Sequence, residues 1–126
     1  MDSQELREDF RRAVAEFRSA LEIDPESDLI KAGCIQYFEF SFELAWKSVK
    51  RCAENEGIGD CNSPKAALKA AFSFGWIEDE EVWLDMLMSR NRMSHTYSAA
   101  SALTVYDKLP GYVAALQQLT ITLDNL

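Results

Sequence analysis

From Leu6 to Leu123 the apolar residues recur at steps of three and four, and no stretch alternates at steps of two. A strand buried on one face needs the two-residue alternation, whereas a helix with one apolar stripe needs the longer step. Leu6, Phe10, Val14, Phe17 and Leu21 therefore predict a helix over Ser3 to Ile23, opened by Asp2 and Glu5 as a capping box. Asp24-Pro25-Glu26-Ser27 stops it, because a residue before proline disfavours the helical region. A second and longest helix is expected from Asp28, as N-cap, to Glu56, with Cys34, Phe38, Phe42, Ala45, Val49 and Cys52 as its stripe. Gly57 stands where a C-terminal glycine belongs.

Ser63-Pro64 opens a third, short helix that Gly75 ends. Asp79 caps a fourth, with Glu80 and Glu81 on its positive end and Val82, Trp83, Met86, Leu87 and Met93 as its apolar side. A last helix should run from near Ser98 toward Leu123, kinked or broken at Pro110-Gly111, with Leu103, Tyr106, Leu109, Val113, Leu116, Leu119 and Leu123 inward. The expected fold is all-α: an up-and-down four-helix bundle with an additional short helix, in one domain over residues 1–126. Phe38, Phe40, Phe42 and Trp46 give the second helix more apolar surface than one bundle face needs, which predicts a symmetric homodimer.

Charge narrows the function. The net charge of −8 argues against a broad nucleic-acid footprint, so any such site must be a local positive island. No apolar run approaches ~20 residues, so no membrane span is expected. The polar start, Met1-Asp2-Ser3-Gln4-Glu5, does not read as a signal peptide. Cys34, Cys52 and Cys61 lack paired spacing and read as reduced thiols of a cytoplasmic protein. With a single histidine, neither a zinc site nor a cofactor is expected.

One polar knot stands out: Ser89-Arg90-Asn91-Arg92-Met93-Ser94-His95-Thr96-Tyr97, which holds the only histidine. On an ideal helix Arg90, Ser94 and Tyr97 share a face, while Asn91 and His95 share the next. Arg90 and His95 then lie about 140° apart, so one straight helix does not aim both at one phosphate. Either the helix loosens near Ser94 or a second copy completes the site. Taken as ordinary structure, His95 caps the helix end, Arg90 pairs with Asp85 or Glu81, and Glu43 pairs with Lys47 four residues on.

Arg90-Asn91-Arg92-Met93-Ser94-His95 fits the R-x4-H motif of the HEPN family, and its extension to Tyr97 resembles the narrower R-x4-H-x-Y form. The run Gln36 to Lys47, with Phe42-Glu43-Leu44-Ala45-Trp46-Lys47 at its end, looks like the second-helix signature of nucleotidyltransferase substrate-binding proteins. The resemblance implies a dimeric helical bundle with both motifs lining one cleft. It also implies a toxin that is a metal-independent endoribonuclease acting on RNA, with tRNA among the candidates. Arg90 and His95 would be catalytic, and Asn91 and Ser94 would orient the phosphate or His95. Tyr97 would receive AMP from a minimal nucleotidyltransferase antitoxin encoded nearby. The alternative is a non-catalytic subunit that positions a substrate for such a nucleotidyltransferase. The chain is not that enzyme itself, having no glycine-rich nucleotide loop and no D-x-D.

Overall fold

The structure, a computed structural model, describes residues 3–93 and 99–126. They form α1 (Ser3–Leu21), α2 (Asp28–Asn55), α3 (Pro64–Ser73), α4 (Glu80–Met93), α5 (Ala99–Leu103), a 3-10 turn (Tyr106–Lys108) and α6 (Leu109–Asp124), with no strand among them. The four long helices α1, α2, α4 and α6 make the bundle. Cross-links fix their directions. The Asn55 amide donates to the Ser3 hydroxyl at one end of the α1–α2 pair, and the Cys34 thiol donates to the Ala20 carbonyl at the other. Arg7 donates to the Leu123 carbonyl, and Arg18 to the Gln117 side chain, so α6 also runs antiparallel to α1.

The helix ends follow from local chemistry. Ser63 and Asp79 accept hydrogen bonds from the Ala66 and Val82 amides, as their positions require. The cap of α2 is Ser27, not Asp28. Ser27 has extended backbone and its hydroxyl accepts from Ile30 N–H, which puts Asp28 inside the first turn. The capping box expected of Asp2 lies outside the described residues. Gly57 and Gly75 have φ of +88° and +74°, a region that only glycine enters cheaply. After each, an amide reaches back to close the helix, Ile58 to Ala53 O and Trp76 to Ala71 O. Pro110 breaks the expected last helix rather than bending it. It sits in the first turn of α6, and α5 and the 3-10 turn replace the upstream half.

The core joins all four long helices. Phe10 and Phe17 of α1, Phe38 and Phe42 of α2, Met86 of α4 and Leu116 of α6 are enclosed. The Phe38 ring lies 6.4 Å from Phe17, 6.0 Å from Phe42 and 5.0 Å from Tyr112, so it touches α1, α2 and α6 at once. This corrects the surplus expected on α2: Phe38 and Phe42 are consumed by the core, Trp46 is half-buried, and of the four only Phe40 is exposed, at 51%. All three cysteines are buried as free thiols, and desolvation pushes each thiol pKa up. Among the described residues, no helix is long and apolar enough to cross a membrane.

Candidate functional site

Arg90 and Asn91 sit in the last turn of α4. Ser94, His95 and Tyr97 lie outside the described residues, as does the loosening expected near Ser94. The described part of the site is therefore built around the Arg90 guanidinium. Its Nε donates to Glu43 Oε1 at 3.0 Å and its Nη2 approaches the same oxygen at 2.9 Å. Its Nη1 donates to the Asn91 side-chain oxygen at 3.2 Å. The second Glu43 oxygen accepts from the Trp46 indole at 2.9 Å. Indole, carboxylate and guanidinium thus form a chain from α2 to α4, in which each group fixes the next.

These contacts correct two sequence expectations. Arg90 pairs with neither Asp85 nor Glu81 on its own helix, and Glu43 does not pair with Lys47. Lys47 lies over the Trp46 ring, 5.9 Å from its centroid. A partner forty-seven positions away in sequence is invisible to an i, i+4 count. Glu43 is the site residue that sequence reading missed, although it stands inside the Phe42-to-Lys47 run that carried the resemblance.

The pair is half-open. The Arg90 and Glu43 side chains are 33% and 34% exposed. A planar guanidinium on a fixed carboxylate presents its donors in a set direction, which suits a phosphate or a second carboxylate. One turn earlier on α2, the Glu39 carboxyl is pushed above its ordinary pKa, first by burial and then by the Glu43 charge. The surroundings of Arg90 are therefore mixed in sign.

Ser89 opened the polar knot in sequence, but it turns the other way. It is buried and bonds the Tyr112 hydroxyl of α6 at 2.8 Å. Tyr112 donates to Asp85 at 2.5 Å, which leaves Ser89 as the donor to Tyr112. Lys108 completes the group on Asp85 at 3.3 Å. The Tyr112 hydrogen bond, followed by Lys108, holds the Asp85 carboxyl below its ordinary pKa against desolvation. Burial and the Asp85 bond push the Tyr112 phenol up to about 12.

The chain resembles known proteins along nearly all its length. The family described as nucleotidyltransferase substrate binding protein like matches residues 5–125. A Haemophilus influenzae protein named probable ribonuclease HepT is 34% identical over 90 residues, 68% of this chain and 62% of that relative. The chain thus matches less than two thirds of that relative's length. A solved structure from Thermus thermophilus superposes with a TM-score of 0.79 at 29% identity, covering 90% of this chain and 98% of that one. A Haemophilus influenzae structure, described as having the fold of a substrate binding domain of a nucleotidyltransferase, gives 0.68 at 28% identity over 97% and 96%. With the family match spanning the bundle, and with Arg90 and Glu43 pairing the two runs on which the resemblance stood, the chain belongs to the nucleotidyltransferase substrate-binding protein group of the HEPN family.

Proposed function

We propose that this chain is a toxin of the HEPN type: a metal-independent endoribonuclease silenced by a minimal nucleotidyltransferase that attaches AMP to Tyr97. The observation that carries the reading is Arg90, aimed by Glu43 at the end of α4 and five residues ahead of the only histidine. In this reading His95 moves the protons. An imidazole can accept the 2′-hydroxyl proton or donate one to the leaving oxygen. Arg90 stabilises charge growing on the phosphate oxygens. Asn91 and Ser94 orient the phosphate or His95. A symmetric homodimer brings two copies of the motif to one cleft, so the two His95 side chains divide the acid and base roles.

Tyr97 supplies the switch. An AMP group on its hydroxyl places an anionic phosphodiester beside Arg90 and His95, in competition with the RNA phosphate. The second reading, a non-catalytic subunit that positions substrate for a nucleotidyltransferase, is supported by the description of the Haemophilus influenzae structure.

The experiment that separates the two is incubation with total RNA and tRNA, wild type against His95→Ala, with and without EDTA. Cleavage by the wild type that EDTA leaves intact and His95→Ala abolishes supports the enzyme. Equal cleavage by His95→Ala assigns the activity elsewhere. Mass spectrometry after co-expression with the neighbouring nucleotidyltransferase tests the switch: wild type should gain AMP, and Tyr97→Phe should stay unmodified and unsilenced. Neutralisation with Tyr97 unmodified would favour simple complex formation and the second reading.

A further inference from the structure

A groove runs along the crevice between α4 and α6, away from the Arg90–Glu43 pair. It consists of two bays of about 400 and 520 Å³ that meet at Val82 and Gly111, which line both. Trp76 and Trp83 wall the first bay. Leu84 and Met88 wall the second, and they are 42% and 58% exposed. Measured along α4 from Asp79 to Met88, the groove is about 14 Å long at 1.5 Å per residue.

Two features of this groove bear on what it can hold, a glycine that the bundle does not need and a run of acidic residues. The first is Gly111. It is exposed in the first turn of α6, its φ is not positive, and a Cβ there would meet nothing within 4 Å. Glycine in a helix is less stable than alanine by roughly 0.5–1 kcal/mol. Neither backbone geometry nor packing calls for it, and it stands where the two bays meet. The second is charge. Glu78, Asp79 and Glu81 line the groove on its α4 side, and Glu80 stands exposed among them. Lys108, the cation at the far end, is already paired with Asp85.

We propose that this groove docks a basic amphipathic helix of a partner protein, with apolar side chains in the two bays and Lys or Arg along the acidic edge. Anchors seven residues apart on such a helix are about 10.5 Å apart, which fits two bays within this length. The acidic edge repels RNA and selects a cationic partner. The site is separate from the RNA-cleavage reading and stands or falls without it.

The test uses a fluorescent fifteen-residue helical peptide with leucines at positions i, i+3 and i+7 and lysines or arginines on its flanks. Its control is a peptide of the same composition with scrambled order. Anisotropy should show saturable binding of the ordered peptide, at least tenfold tighter than the scrambled one. Gly111→Leu should fill the saddle and weaken binding at least tenfold, with circular dichroism and melting temperature preserved. Glu78→Gln with Glu81→Gln should weaken it severalfold and flatten its dependence on salt. Equal binding of the scrambled peptide, or full binding by Gly111→Leu, would overturn the proposal. So would a Gly111→Leu protein of lower mass than wild type by light scattering, since the occupant would then be a second copy of this chain.

Discussion

Helix α4 carries two polar clusters on different faces, and they are built differently. Toward α6, the buried Ser89 and Tyr112 hydroxyls bond each other, and Tyr112 donates to the Asp85 carboxylate, which is itself 39% exposed and also meets Lys108. Toward α2, Arg90 and Glu43 pair while each stays about one third exposed. Losing either buried hydroxyl leaves the other without that bond, which carries a desolvation penalty. A half-open ion pair contributes little to stability. The first cluster ties α4 to α6, and the second ties α4 to α2.

The sharpest way to break this comparison is Arg90→Ala. On the proposed function, loss of this charge-stabilising donor should lower RNA cleavage about 10²- to 10³-fold, while thermal denaturation stays within a few degrees of wild type. A protein that unfolds instead would make Arg90 part of the scaffold. Tyr112→Phe should do the reverse. It deprives Ser89 and Asp85 of their shared partner and should cost about 1–3 kcal/mol in chemical denaturation, with cleavage per folded molecule nearly unchanged. Glu43→Gln keeps the shape but removes the charge that aims Arg90. Cleavage should fall by about tenfold, with under about 1 kcal/mol of stability lost.

The smallest effect is in pH. The folded Tyr112 pKa of about 12 lies above the ordinary value of 10.0. Its stabilising contribution is therefore complete below pH 10 and is lost as pH rises toward 12. Asp85 is depressed, so its contribution is present above the ordinary carboxyl range and is lost as pH falls through its folded pKa. Subtracting the Tyr112→Phe stability curve from wild type should isolate the alkaline decline, and an identical slope for both proteins would remove Tyr112 as its source.

What was legible in the sequence was whatever depends on neighbours along the chain. The stripes of α1 and α2, the Ser63 and Asp79 caps and the two glycine stops all follow from steps of three and four and from single-residue backbone preferences. Ser27 was missed for Asp28 because two good caps stood side by side and only the backbone angle of Ser27 decides between them. The core role of Phe38 was half visible: its stripe was plain, but its contact with Tyr112 on α6 was not, and so the aromatics of α2 read as surplus. The partner of Arg90 was not legible at all, since it depends on how α2 and α4 are set against each other. Ser89 and Arg90 are adjacent in sequence and equally polar, yet one faces α6 and the other α2.

The bonds from Arg7 to Leu123 and from Arg18 to Gln117 have a kinetic consequence. Helices α1 and α2 are separated by a short connection and can associate as soon as both are made. Part of the inner side of α1 stays uncovered until α6, synthesised after it, folds back against it, and that loop closure spans most of the chain. Helix α6 also brings Tyr112, which ties down α4. During synthesis Arg90 is thus made before the helix that steadies its own helix, and a nascent chain passes through a stage in which α4 is present without that anchor.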